Sequence, residues 1–144
     1  VLLRLLYASG GRVSEIVNLR WRHVQPNGDS GQITVTGKGN KTRAIKLSKD
    51  TWAVLVQFMP PGATLVDFVF QSQRRKGQEA RNGQLDRTAV NKIVTNAGKL
   101  IDVPKLSPHW FRHAHASHAL DKGATVAVVQ QTLGHTSLTT TSNF

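Results

Sequence analysis

Ser107-Pro108-His109-Trp110-Phe111-Arg112-His113 is the stretch from which the rest of the chain is read. Serine before proline marks a helix start: Ser107 is placed to N-cap it, and Pro108 takes a first-turn position where its missing N–H is no loss. His109 and Arg112 stand three apart on that helix and so share one face. Both lie in or near the first turn, where the helix dipole favours an anion. An imidazole that exchanges protons near neutral pH, beside a guanidinium that grips oxygens in pairs, suits a phosphate.

Three other places join this one. Arg12 follows two glycines in Gly10-Gly11-Arg12-Val13-Ser14-Glu15, Lys38 lies in the turn Gly37-Lys38-Gly39-Asn40, and His135 closes Leu133-Gly134-His135. Each alone has an ordinary explanation. An arginine after a helix end caps carbonyls, a turn lysine is solvated, and a histidine after Gly134 caps a helix C-terminus. Together they make two guanidiniums, one ammonium and two imidazoles, a complement suited to one negatively charged phosphate. Lys41 and Arg43 beside Lys38 turn the hairpin into a basic finger that fits a DNA groove or backbone. His113, His115 and His118 raise a metal cluster as an alternative, but their spacing matches no known ligand pattern. They read as supporting or surface histidines, and no metal is expected.

Composition points the same way. Nineteen Lys and Arg against eight Asp and Glu leave a net charge of +11, which favours a polyanionic partner, most often nucleic acid. The chain has no cysteine, hence no disulfide framework and no thiolate metal site. No apolar run approaches the ~20 residues that cross a bilayer, and no signal peptide is visible, so no membrane partner is expected. Val1 opens inside a helical pattern without an initiator Met, so the chain reads as a fragment of something longer.

The hydrophobic pattern predicts a mainly α domain with a small β-hairpin or sheet, an α+β fold. An apolar helix over 1–8 ends at Gly10-Gly11, and Ser14 is placed to cap a second over 14–19. Strands at 32–36 and 43–47 flank the Gly37-Lys38-Gly39-Asn40 hairpin. A helix at 50–58 stops at Pro60-Pro61-Gly62, and 65–70 reads as a short strand or extended segment. Residues 71–84, polar and basic with Arg74, Arg75 and Lys76, read as a loop. Helices follow at 86–101, 107–121 and 125–133, with the start of another from Ser137.

The ordered set of motifs resembles the catalytic domain of the tyrosine site-specific recombinases, the phage integrase and Xer-like family. The stretch from Tyr7 to Glu15 looks like the family's first-arginine box and that from Gly37 to Arg43 like its hairpin lysine. Leu106 through His113 looks like the His-x-x-Arg box, and Leu133 through Ser137 like the final histidine box. The resemblance implies that residues 1–144 are a recombinase catalytic domain, with the N-terminal core-binding domain and the C-terminal tail absent. It implies cofactor-free and metal-free DNA cleavage and rejoining through a 3′-phosphotyrosyl link, for integration, excision or other site-specific recombination. Arg12 and Arg112 would clamp the phosphate, Lys38 would protonate the leaving 5′ oxygen, and His109 would be the base-side partner of the nucleophile. His135 would donate a further hydrogen bond, and Glu15 would orient Arg12 or a histidine. Lys41, Arg43, Arg74, Arg75 and Lys76 would contact double-stranded DNA. The longer protein would act as a tetramer on DNA and this fragment would be monomeric, in the cytoplasm of a prokaryote, at the nucleoid, or in a phage system.

One position departs from the family pattern. The nucleophilic tyrosine stands nine residues after the histidine of the last box, and here that residue is Phe144. A phenyl ring has no oxygen with which to attack phosphorus, so the chain is expected to bind DNA without cleaving it. Two alternatives stay open: a non-catalytic DNA-binding relative in which Phe144 is natural, and a helix-turn-helix regulator built from 107–121 and 125–133. The second of those helices carries Val126, Val128 and Val129 and no Lys or Arg, which fits packing better than base readout.

Overall fold

Leu2, Leu5 and Leu6 fall on one face of helix α1 (Leu2–Ser9) and are buried together, which is why the apolar opening of the chain is helical. The computed structural model describes residues 1–72 and 83–134. Gly10 ends α1 in the left-handed conformation, φ 57°, open to glycine at little cost. Helix α2 (Val13–Val17) starts from Arg12, not from the expected Ser14. The reason lies in Glu15, whose carboxylate reaches back to accept the Arg12 backbone N–H at 2.8 Å. The helix also ends earlier than position 19, because the Asn18 side chain donates to the Ser14 carbonyl at 2.8 Å and a turn follows.

Three strands, β1 (Val24–Asn27), β2 (Ser30–Thr36) and β3 (Thr42–Leu47), form an antiparallel sheet in that order. Ile33 pairs with Ile45 and Gly31 with Leu47, so Ile33, Val35, Ile45 and Leu47 line the buried face. Strand β1 is an element the sequence pattern hides. Pro26 argues against a central strand but is compatible with an edge, and Gly28-Asp29, with Gly28 at φ 61°, is the two-residue turn that joins β1 to β2 between the paired Asn27 and Ser30. Helix α3 (Lys49–Gln57) is capped by Ser48 and sends Trp52 across Gly31. A Cβ on Gly31 would come within 1.9 Å of the indole, so only glycine lets α3 lie that close to β2.

Residues 65–70 include a turn followed by an extended piece held by one bridge, Arg20 to Phe68, and by the Val69 N–H on the Leu19 carbonyl. Phe68, Val69 and Phe70 are buried there. Helix α4 (Arg87–Leu100) is capped by Asp86, which accepts the Ala89 N–H at 2.6 Å, and buries Val90 and Val94. Helix α5 (Pro108–Asp121) starts with Pro108 as read from the sequence, although the Ser107 side chain makes no capping bond. Helix α6 (Val126–Leu133) is capped by Thr125 and ends at Gly134, again left-handed. A main core runs through α1, α2, the sheet, α3 and α4, and a smaller one joins Ala116 of α5 to Val129 and Leu133 of α6. The result is a helical majority around one small antiparallel sheet. The loop expected within 71–84 and the helix expected from Ser137 fall largely or wholly outside the described residues.

Candidate active site

Arg112 is 6% exposed, an unusual depth for a cation. One Nη donates to the Gly10 carbonyl at 2.6 Å and the other to the Leu133 carbonyl at 2.8 Å. The guanidinium thereby ties the end of α1 and the end of α6 to α5. Gly10 makes this possible twice, by its positive φ and by its missing side chain. A Cβ there would meet His115 at 2.6 Å and Leu133 at 2.7 Å. Burial, with the Arg12 charge adding, lowers the Arg112 pKa to about 10; Glu15 opposes the shift and Arg43 adds to it. At neutral pH the group stays cationic.

Arg112 lines a cleft of about 470 Å³ together with Arg12 and His109. Three of the residues singled out in the sequence thus meet, although Arg12 lies near one end of the chain and Arg112 near the other. The Arg12 side chain is 42% exposed, with Nη1 3.6 Å from Glu15 Oε1. His109 is exposed in the cleft wall rather than buried in an apolar core. The first turns of α2, α4 and α5 all face this space, so three positive helix ends add to its cationic side chains.

Lys38 does not line that cleft. It belongs to a neighbouring one of about 420 Å³, lined by Lys41, Thr42, Gln131 and Gly134 as well. Arg12 lines both, standing as their shared wall. Lys38 and Lys41 are exposed on the hairpin, where Gly39 and Asn40 take positive φ values to close the turn.

Arg43, read from the sequence as a DNA contact, is engaged within the protein. Its Nη1 and Nη2 grip Glu15 Oε1 and Oε2 at 2.8 and 2.9 Å, and its Nε donates to the Thr132 carbonyl at 2.7 Å. Each of its three nitrogens is engaged inside the protein. Glu15, in turn, pairs chiefly with Arg43 rather than orienting a histidine, while its link to Arg12 is the backbone bond and the longer 3.6 Å contact. Burial alone would raise the Glu15 pKa, but the Arg43 and Arg12 hydrogen bonds and charges outweigh it and hold the carboxyl below its ordinary range.

His115 and His118 serve the seam between α1 and α5. His115 Nδ1 donates to the Tyr7 carbonyl at 2.9 Å, and the Tyr7 hydroxyl hydrogen-bonds His118 Nδ1 at 2.6 Å. Arg74, Arg75, Lys76, His135 and Phe144 lie outside the described residues. Two cleft residues were not singled out in the sequence, Arg87 and Asn91 of α4. Their signal was present: Asp86 caps the helix, Arg87 is its first residue, and Asn91 stands one turn later on the same face. Among the described residues, no helix is long and apolar enough to cross a membrane.

The whole chain, residues 1–144, matches the model of the phage integrase family. It is 38% identical over 146 residues to tyrosine recombinase XerD of Haemophilus influenzae, covering 97% of this chain and 47% of that protein. It is 36% identical over 151 residues to tyrosine recombinase XerC of Bifidobacterium longum, covering 99% and 41%. The chain therefore spans less than half the length of these curated relatives. Among solved structures, XerH site-specific recombinase bound to difH substrate in a pre-cleavage complex matches with a TM-score of 0.79. That match covers 98% of this chain and 40% of the other at 23% identity, a likeness of fold.

Proposed function

We infer that this chain, which belongs to the phage integrase family, is the catalytic domain of a tyrosine site-specific recombinase and holds a DNA phosphodiester in the cleft of Arg12, His109 and Arg112. The observation that carries this reading is the meeting of those three side chains in one cleft, with Lys38 on the adjoining hairpin.

Arg12 is the mobile half of the clamp and Arg112 the rigid half. Preorganised cations aimed at the phosphate offset the charge that builds on its non-bridging oxygens as phosphorus is attacked. Lys38 delivers the proton to the 5′ oxygen as the P–O bond breaks, and His109 assists the nucleophile from the other side. His135 adds a donor to the phosphate. The nucleophile's place belongs to Phe144, so this chain binds and positions the strand without cutting it. Double-stranded DNA is the partner, drawn by the net charge of +11. In a protein of the relatives' length, the domain works within a tetramer on DNA. Phe144 also favours a narrower reading, a relative that binds DNA and has given up cleavage; the codon at this position in the native gene separates the two.

Binding of duplex DNA across a salt series tests the reading. Affinity should fall steeply with salt, and Arg12→Ala should reduce the slope of log K against log salt by about 0.9, the share of one neutralised phosphate. A flat salt profile would overturn the nucleic-acid reading. An Arg12→Ala slope equal to the parent's would remove this cleft from it.

A further inference from the structure

The hairpin carrying Lys38 is joined to the cleft through an ion pair between the half-buried Arg43 and the buried Glu15. Strands β2 and β3 pair as far as Thr36 and Thr42, the Gly37 N–H donates to the Lys41 carbonyl at 2.8 Å, and beyond that the tip is exposed. Arg43, the second residue of β3, leaves the hairpin base and forks onto Glu15 of α2, then reaches the Thr132 carbonyl of α6. Two glycines make room for the pair. A Cβ on Gly37 would stand 3.0 Å from Glu15 Oε1, and one on Gly134, a left-handed residue at φ 66°, would stand 2.9 Å from Arg43 Nη1. The residue before Lys38, the residue after Leu133 and the acid three residues after Arg12 all pack around one guanidinium.

We propose that the Glu15–Arg43 pair is a positioning joint: it sets the placement of Lys38 relative to Arg12 and to the end of α6, and it does so without touching DNA. A two-bond fork fixes angle as well as distance, which a single ammonium contact or an apolar contact does not. The side-chain exposures, 16% for Arg43 and 2% for Glu15, keep water from loosening it. The joint rests on the reading of the cleft as a phosphate site, and its test is arranged so that the two can fail separately.

The test turns on the sign of a charge, with a short duplex of arbitrary sequence as the probe. Glu15→Gln takes a negative charge from a chain already at +11 while keeping an oxygen for the Arg12 N–H. If the pair merely contributed to the surface field, DNA binding would tighten. As a joint, its loss frees the hairpin, and Lys38 stops contributing. Lys38→Ala should then lower the salt slope by about 0.9 in the parent chain but by less than about a third of that in Glu15→Gln, a non-additive cycle. Arg43→Lys keeps the charge but cannot make the fork and the Thr132 bond together, so it gives a milder variant with the same expected loss of the Lys38 effect. Arg12→Ala should still lower the slope in every background, although Glu15→Gln changes its size by removing the carboxylate charge 3.6 Å from Arg12 Nη1. Equal Lys38→Ala effects in all three backgrounds would overturn the joint and leave the cleft reading standing. If neither Arg12→Ala nor Lys38→Ala changed binding in the parent chain, the cleft reading would fall and the joint with it.

Discussion

Arg43 and Arg112 donate to consecutive carbonyls at the end of α6, Arg43 to Thr132 at 2.7 Å and Arg112 to Leu133 at 2.8 Å. The last turn of a helix leaves carbonyls without intrahelical partners and carries the negative end of its dipole. Two cations from distant parts of the chain satisfy that end. Much of the positive charge near the cleft is therefore committed to holding the site's parts together. The more exposed groups, Arg12, Lys38, Lys41 and His109, are left to meet a ligand.

Arg112 consequently has a structural cost of removal that Arg12 lacks. Arg112→Met leaves the Gly10 and Leu133 carbonyls buried without a donor, a loss of roughly 2–5 kcal/mol. Arg112→Lys, able to reach one carbonyl at a time, should recover part of it, and Arg12→Ala should lie within about 1 kcal/mol of the parent. Urea denaturation at constant m-value measures all three. An Arg112→Met midpoint equal to the parent's would mean that the carbonyls find other partners.

Gly10→Ala tests the backbone side of the same arrangement. The left-handed conformation costs an L-residue roughly 1–2 kcal/mol, and the new methyl adds overpacking against His115 and Leu133 of roughly 1–3 kcal/mol. The variant should be destabilised by about 2–5 kcal/mol and should weaken DNA binding, because the Gly10 carbonyl holds Arg112. Gly28→Ala is the control, since its φ is also positive but nothing stands within 4 Å of its Cβ position. A Gly10→Ala loss no larger than that of Gly28→Ala would remove the steric part of the account.

Stability should fall in acid through two separate windows. Burial pushes the His115 pKa below its ordinary 6.5; the bond to the Tyr7 carbonyl opposes this, and the Arg112 and His118 charges add to it. The unfolded chain then binds this proton more readily than the folded one, so stability declines as pH drops from about 6.5 to the lower folded value. Glu15 acts further down. Its folded pKa lies below 4.5, so the stability it supplies above that pH is lost as pH falls through the folded value. His23 is also lowered, by burial and by Arg22 and Arg20, and shares the first window. The informative quantity is thus the difference between parent and His115→Gln. Urea midpoints taken from about pH 7 to 5.5 should decline less in the variant, and parallel profiles would exclude His115 as a source of the slope.

Local chemistry made most of the helices legible. Apolar spacing located α1, α4 and α6 to within one residue at either end, and Pro108 fixed the start of α5. What misled the reading was competition at short range. Ser14 has the side chain of a cap, but the Glu15 carboxylate takes the Arg12 N–H first. Strand β1 had no place in the reading, because its four residues sit at the sheet edge, mostly exposed, without the alternation that marks a strand. The site divides in the same way. His109 and Arg112 share a helix face that spacing reveals, whereas their approach to Arg12 followed only from the ordered set of motifs. The Glu15–Arg43 fork had no local signature, since its partners are brought together by α2 packing against the sheet.

The final prediction concerns position 144. On the proposed reading, Phe144 lacks the one atom that would form a bond to phosphorus, while Arg12, Lys38, His109, Arg112 and His135 would supply the cations and hydrogen-bond donors for the transition state. Phe144→Tyr should therefore permit a covalent protein–DNA adduct that the parent chain does not form. The assay uses a nicked duplex carrying the recombination site, so that the released fragment diffuses away and the adduct cannot reverse. It is run on this chain and on the product of the complete reading frame, because the curated relatives are more than twice as long as the part matched. A band that resists denaturing detergent is expected with tyrosine only. Adding Lys38→Ala to the tyrosine variant should slow the band's appearance by about 10²-fold or more, as loss of a general acid does. A band from the Phe144 parent would place the nucleophile elsewhere, with Tyr7, the chain's single tyrosine, as the first residue to test. No band from the tyrosine variant on a site it demonstrably binds would make this chain a binding-only relative and take the cleavage chemistry out of the reading.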